Sequence, residues 1–161
     1  MGENPKLSVG DEAPPFELES DTQGTVRLED LRGEKVILYF YPEDMTGGCT
    51  VQACDFRDHL EQFTQAGYQV FGISPDSLER HREFRDKEEL NFPLLADVER
   101  EVAEAYGVWR EKSSYGNTYV GIVRSTFIID EEGIIEEIQD NVRAKGHVGR
   151  LLRDLPELAA S

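Results

Sequence analysis

The chain is 161 residues long, 39% hydrophobic and 31% charged, a length that points to one domain (1–161) able to bury about 70% of its unfolded surface without disulfide or metal staples. Its 33 acidic and 17 basic side chains leave a formal charge of -16, which argues against nucleic acid and anionic membranes as partners, because Lys and Arg do the neutralising there. No run is long and apolar enough to span a bilayer, and the opening MGENPKLSVGDEAPPFEL lacks the basic head and apolar stretch of a secretory signal, so a reducing, cytoplasmic setting is expected, in which two cysteines are available for chemistry.

In chain order the first predicted element is a β-hairpin: Phe16 and Leu18, then Val26 and Leu28, flank the turn-rich Ser20-Asp21-Thr22-Gln23-Gly24. It is expected to cover an edge or end of the main sheet. Lys35 to Tyr41, KVILYFY, is a continuous β-branched and aromatic run ended by Pro42, the pattern of a central strand covered on both faces. Ala53, Phe56, Leu60 and Phe63 then recur at spacings of three and four, which predicts an amphipathic helix stopped at Gly67. A strand over Tyr68 to Ile73 follows, then a helix from Leu78 to about Leu90, with Asp76 and Glu79 placed as a capping box after Pro75. Val98, Val102, Ala105 and Tyr106 suggest a short helix. Thr126 to Ile129 and Ile134 to Ile138 read as strands joined across Asp130-Glu131-Glu132-Gly133, and Val148, Leu151, Leu152 and Leu155 mark a last helix. Four strands are expected in the core sheet. Helices then fall on both faces of a mixed sheet, and a thioredoxin-like α/β fold with an N-terminal β-hairpin extension fits that order.

Cys49 follows Pro42 by seven residues in YPEDMTGGCTVQAC, where the first amphipathic helix should begin. A helix N-terminus carries partial positive charge and free N–H groups, which favour a thiolate. Cys49 lies four residues before Ala53, so its side chain continues the apolar stripe and points inward. A lone cysteine on such a stripe is ordinarily a small buried hydrophobe. Here Gly47 and Gly48 let the backbone approach a ligand and aim successive N–H groups inward, and Thr46 offers a hydroxyl near the sulfur. A thiolate with convergent donors suits attack on an O–O bond, because negative charge appears on the departing oxygen.

Cys54 comes five residues later. Five residues of ideal helix rise about 7.5 Å and turn about 140°, placing the two Cα atoms about 9 Å apart, whereas bonded cysteines lie within about 7 Å. The pair cannot bridge inside an intact helix, so any Cys49–Cys54 bond requires the first turns to unwind. This separates the pair from the Cys-x-x-Cys of a dithiol oxidoreductase. Metal binding is disfavoured too, since none of His59, His81 and His147 forms a ligand spacing with the cysteines. Those histidines are assigned to surface or packing roles.

The segment FYPEDMTGGCTVQACDFRD (Phe40 to Asp58), with Pro42, Thr46 and Cys49 in a Pro-x-x-x-Thr-x-x-Cys pattern, resembles the active-site signature of peroxiredoxins. The cysteine five residues on makes it similar to the peroxiredoxin Q, or bacterioferritin comigratory protein, subfamily. The resemblance runs from about Lys6 to Leu152 and includes GDEAPPFEL and YGNTYVGIVRSTFIID (Tyr115 to Asp130). It implies a thioredoxin-like fold and reduction of hydrogen peroxide and alkyl hydroperoxides without metal, flavin or haem cofactor. Carried over by position, the resemblance makes Cys49 the expected peroxidatic cysteine, Cys54 the resolving cysteine, Thr46 a hydrogen-bond donor to peroxide and Pro42 the shield of the pocket; Gly48, whose backbone can approach a ligand, is expected to join Thr46, Cys49 and Arg124 in binding substrate. Arg124, in VRSTF, matches the arginine that faces the thiolate, and a permanent guanidinium there lowers the thiol pKa and can orient a peroxide oxygen.

The cycle implied is oxidation of Cys49 to a sulfenic acid, condensation with Cys54, and reduction of the disulfide by thioredoxin or a glutaredoxin-like donor, in a monomer or at most a weak dimer. Missing Gly-Gly-Leu-Gly and C-terminal Tyr-Phe segments imply resistance to sulfinic oxidation. One departure is Gly47, where the family commonly has proline. Trp109, Tyr115 and Tyr119 fall in matching segments, with packing and substrate-facing roles equally open. A competing reading from another class is a thioredoxin-like peroxide sensor that relays oxidation to a partner; a peroxidase differs in consuming many equivalents of peroxide. A dithiol reductase or isomerase is disfavoured by the missing Cys-x-x-Cys.

Overall fold

The computed structural model describes residues 7–114 and 116–155. The hairpin forms as β1 (Glu17–Ser20) and β2 (Gly24–Arg27), with Glu17 opposite Arg27. Its turn is closed by Ser20 Oγ, which accepts from the Gln23 and Thr22 N–H groups at 2.6 and 3.3 Å. Two central strands, β3 (Lys35–Phe40) and β4 (Tyr68–Ser74), run parallel, joined by helix α1 (Gly47–Gln65). Helix α2 (Leu78–Glu88) leads to β5 (Leu94–Ala96), and α3 (Glu101–Ala105) leads to an antiparallel pair, β6 (Trp109–Ser114) with β7 (Asn117–Ile122). The chain closes with β8 (Ser125–Ile129), β9 (Ile135–Gln139) and α4 (His147–Asp154). The main sheet has the order β2-β1-β5-β4-β3-β8-β9.

Among the described residues the sheet therefore has seven strands, not the four expected. The hairpin joins it at an edge, because β1 pairs antiparallel with β5, Glu19 facing Ala96. Strand β5 escaped the sequence reading because three residues carry no periodicity, and β6 because WREKSS has almost no apolar residue to alternate. The cap of α2 is also corrected: Ser77, not Asp76, is the N-cap, its Oγ accepting from the Arg80 N–H. Asp76 instead accepts from the Asp44 N–H and the Ser74 hydroxyl, each at 2.7 Å. Val98 lies before α3, half exposed, and α3 starts only after Arg100, which takes a left-handed conformation with φ 61°. Trp109 and Tyr119 lie on the β6–β7 arm, and Tyr115 falls outside the described residues.

Strand β3 organises the interior, since its pleat sends alternate side chains to opposite faces. Val36, Leu38 and Phe40 join a cluster with Phe16, Val102, Tyr106 and Phe127, under the hairpin and α3. Ile37, Tyr39 and Tyr41 join the other cluster, which takes Cys49, Ala53 and Phe56 from α1, Phe84 from α2, and Val148 and Leu151 from α4. Gly72 on β4 is opposite Tyr39, and a Cβ there would come within 2.9 Å of the tyrosine ring. Absence of a side chain at Gly72 lets that ring lie over the sheet, stacked on Phe56 with centroids 4.6 Å apart.

The hairpin is tied to the helical layer by a buried ion pair. The Asp21 side chain is fully buried and accepts from Arg85 Nε at 2.5 Å, Arg85 Nη2 at 3.1 Å and the Leu94 N–H at 3.0 Å. The same guanidinium donates to the carbonyls of Leu90 and Phe92. Removing one member of such a pair leaves the other charge buried and uncompensated. Arg85→Ala should therefore lose about 3–5 kcal/mol in urea denaturation; a loss below about 1 kcal/mol would place the pair among the weak surface bridges instead.

Candidate active site

The end of β3 and the start of α1 create the site. After Tyr41 the chain leaves the sheet through residues 42–46, and Met45 adopts φ 64°, a left-handed conformation uncommon for a residue with a side chain. Thr46 is the N-cap of α1 with φ -92° and ψ 158°, yet its side chain does not cap the helix; Thr46 Oγ1 donates to the Glu43 carbonyl at 2.9 Å. The first helical bond runs from the Thr50 N–H to the Thr46 carbonyl at 2.8 Å. The amides of Gly47, Gly48 and Cys49 thus precede the first donor with a helical acceptor and retain the positive end of the helix dipole.

Cys49 is the third residue of α1 and is only 2% exposed, continuous with Ala53 and Phe56 on the buried stripe. Arg124, between β7 and β8, places Nη2 3.3 Å from Cys49 Sγ. Its other nitrogen, Nη1, donates to Gln52 Oε1 at 2.6 Å. Gln52 Nε2 faces His147 Nδ1 at 3.0 Å, and His147 Nε2 faces Gln139 Oε1 at 2.8 Å. The amide is a donor to Nδ1, so the chain is satisfied by a neutral imidazole that carries its proton on Nε2. A polar relay therefore runs from the cysteine through α1 to α4 and β9. Gly48 makes room for it, since a Cβ there would stand 3.4 Å from Arg124 Nη2 and 3.5 Å from Ala144 Cβ. Gly47 has open space around it; as the first helical residue it occupies a position that proline favours, so packing does not demand the glycine.

A second bracket holds the loop before the helix. The Tyr41 hydroxyl donates to Asp44 Oδ1 at 2.5 Å, Asp44 Oδ2 lies 2.6 Å from His81 Nδ1, and His81 Nε2 lies 2.9 Å from the Leu95 carbonyl. Asp44 and His81 are both fully buried. Arg80 adds a contact from Nη2 to the Asp44 carbonyl at 3.2 Å. Asp44, Asp76 and His81 bring potential ligand atoms within 4.8 Å of one another, but these atoms are already engaged in protein hydrogen bonds, so the group works as a clamp joining the loop to α2 and β5.

Cys54 lies on the same intact helix and both cysteines are free. It is half-buried, with Sγ 3.6 Å from Glu88 Oε1 on α2. Burial pushes the Cys54 thiol pKa up, and the hydrogen bond and charge of Glu88 add to the rise against the opposing pull of Arg57. Lys112 on β6 lies on the Cys49–Arg124 side of the site: its Nζ donates to the Ile122 carbonyl at 2.7 Å, and burial first, then the Arg124 cation, lower its pKa against the opposing pull of Cys49.

Of the residues singled out from sequence, Thr46, Gly48, Cys49 and Arg124 meet at the head of α1, Pro42 is half-buried at the start of the loop, and Cys54 stands apart. Gln52, His147, Gln139, Asp44, His81 and Lys112 were missed. One signal was available: Gln52 is a polar residue immediately before Ala53 and three after Cys49, on the stripe expected to be apolar. His81 and His147, read as surface or packing residues, are fully buried members of polar networks.

Comparison with known proteins places these features in context. Residues 9–138 match the AhpC/TSA family. A putative peroxiredoxin of Mycobacterium tuberculosis is 52% identical over 96% of this chain and 99% of its own length. Peroxiredoxin Bcp of Escherichia coli is 46% identical over 95% and 98%. Among solved structures, a cysteine-to-serine variant of PrxQ from Xylella fastidiosa superposes with a TM-score of 0.88 at 31% identity, covering 96% of this chain and 99% of that one. Xanthomonas campestris peroxiredoxin Q gives 0.81 at 34% identity over 90% and 88%. The thioredoxin-like α/β fold is thus established. Among the described residues no helix is long and apolar enough to cross a membrane.

The relay carries a pH dependence. Burial, then the cations of Arg150 and Arg124, lower the His147 pKa to about 4, against an ordinary 6.5. The unfolded chain takes up this proton before the folded one, so the neutral ring contributes stability that is full above about pH 6.5 and is lost as the pH falls towards 4. Replacing His147 with Gln should flatten that part of the curve of melting temperature against pH. Equal acid sensitivity in both proteins would show that the relay does not depend on a neutral ring.

Proposed function

Because this chain belongs to the AhpC/TSA family and is a peroxiredoxin of the Bcp, or peroxiredoxin Q, kind, a thiol-dependent peroxidase, we propose that its chemistry starts at Cys49 and is resolved by Cys54. The observation that carries this reading is the 3.3 Å contact between Arg124 Nη2 and Cys49 Sγ at the first turn of α1. A permanent cation in hydrogen-bond contact with the sulfur, beside amides that have no helical acceptor, is the environment that a nucleophilic thiolate requires.

In the proposed cycle the Cys49 thiolate attacks the terminal oxygen of hydrogen peroxide or an alkyl hydroperoxide. The O–O bond breaks, the departing oxygen leaves as water or an alcohol after taking a proton, and Cys49 becomes a sulfenic acid. The Arg124 fork and the Gly48 and Cys49 amides stabilise charge on the departing oxygen. Pro42 shields the pocket. The Thr46 hydroxyl already donates to the Glu43 carbonyl, so its oxygen serves better as acceptor for the peroxide O–H, and the donor role suggested by resemblance would require breaking that bond. The first turns of α1 then unwind, Cys54 condenses with the sulfenic acid with loss of water, and thioredoxin or a glutaredoxin-like dithiol reduces the disulfide. The chain is proposed to work in the cytoplasm as one domain, as a monomer or weak dimer, without metal or organic cofactor and without nucleic-acid or membrane partners.

Stopped-flow measurement of peroxide consumption tests the assignments. Cys49→Ser should fall to the background rate, and unchanged turnover would overturn the mechanism. Cys54→Ser should consume one equivalent of peroxide and then stop with thioredoxin as the only reductant; continued turnover would remove Cys54 from the cycle. Arg124→Ala should slow the first oxidation about 100- to 1000-fold. Turnover of many equivalents by the wild-type protein would also distinguish a peroxidase from a peroxide sensor that is oxidised once and relays.

A further inference from the structure

Cys54 is not held by α1 alone. Its Sγ faces Glu88 Oε1 at 3.6 Å, and two further bonds join the same stretch of chain: Arg57 Nη1 donates to the Glu88 carbonyl at 2.5 Å, and Asn91 Nδ2 donates to the Arg57 carbonyl at 3.2 Å. These contacts attach α1 to the end of α2 from Arg57 onward. The helix head is held separately, by the Arg124 contacts to Cys49 Sγ and Gln52 Oε1, which must release before the first turns open. Cys54 therefore sits between the turns that must open and the part of α1 attached to α2, with Glu88 beside it.

We propose that Glu88 is the general base of the resolving step. The inference rests on the Cys54 assignment above. The Cys54 thiol passes its proton to the Glu88 carboxylate; the resulting thiolate attacks the sulfur of the Cys49 sulfenic acid; the S–S bond forms as the S–O bond breaks; and the departing hydroxide takes the proton back from Glu88 to leave as water. No external oxidant or reductant enters the step. The Arg57 cation stabilises the thiolate as it forms. The raised pKa of Cys54 explains the need for a base, because a protonated thiol is a poor nucleophile.

The charged groups facing Cys54 are Arg57 and Asp58 on α1 and Glu88 on α2, so one substitution separates two roles. Glu88→Gln removes both the base and the negative charge that helps keep the thiol protonated. A carboxylate acting only as an electrostatic neighbour gives faster resolution on its removal; a general base gives slower resolution. The experiment mixes reduced full-length protein with one equivalent of hydrogen peroxide, quenches with a thiol-blocking reagent, and follows Cys49 sulfenate and the Cys49–Cys54 disulfide by mass spectrometry from pH 6 to 8. In the wild type the conversion should be nearly independent of pH in this range. In Glu88→Gln it should slow about 100-fold at pH 7 and rise about tenfold per pH unit, because solvent must then take the proton. Glu88→Asp, which keeps the carboxylate one methylene further away, should recover part of the rate, as a purely structural role for the glutamate would not require. Disulfide formation in Glu88→Gln at or above the wild-type rate overturns the proposal. If the wild-type protein itself forms no Cys49–Cys54 disulfide, the Cys54 assignment fails, and that result is distinct from a loss of rate in the variant alone.

Discussion

The contact between Arg124 and Cys49 places a guanidinium against a buried sulfur, and a long, flexible side chain holds such a position only when its remaining donors are engaged. Here one side of the fork is fixed by Gln52, Gln52 by His147, and His147 by Gln139. The relay draws on α1, α4 and β9, so the chemistry at the head of one helix depends on how two distant elements pack around it. Fully satisfied buried networks are rigid, and partly satisfied ones are costly; this one uses a neutral ring to meet a donor on one side and an acceptor on the other.

The loop before the helix is secured independently. Tyr41, Asp44 and His81 bind it to α2 and to the Leu95 carbonyl of β5, while Asp76 takes the Asp44 amide. Met45 in a left-handed conformation is the kind of strained residue that persists only where its surroundings over-determine it. Two brackets thus meet at Thr46, one fixing the approach to the helix and the other fixing the cation that faces its first turn. Between them, Cys49, Gln52 and Ala53 are buried, and Arg124 and His147 hold the first two turns of α1 in the wound state.

Much of this was legible in the sequence where a single segment carries the signal. KVILYFY announced β3, the three-and-four spacing of Ala53, Phe56, Leu60 and Phe63 announced α1, and the signature from Pro42 to Cys49 marked out the candidate site. What stayed hidden depends on partners far apart in the chain: Gln52 and His147 are separated by 95 residues, Asp44 and His81 by 37. Neither histidine stands in a motif, because each is defined by the groups the fold brings to it. The cap of α2 was misplaced by one residue for the same reason, since Asp76 is drawn away by the amide of Asp44. Strand β5 is too short to leave a pattern, although its pairing with β1 joins the hairpin to the sheet.

The anchoring of α1 at Arg57 also sets a clock. On the proposed cycle, the segment that opens lies between a loop clamped at Asp44 and a helix clamped at Arg57, so the reduced protein restores itself without searching beyond its own neighbourhood. Helix–coil relaxation over such a short span takes about a microsecond or less, whereas two proteins docking at about 10⁵–10⁷ M⁻¹s⁻¹ and micromolar concentration meet only about every 0.1–10 seconds. On that cycle recovery would be paced by the arrival of the reductant, with the mechanical reset finished long before the next encounter.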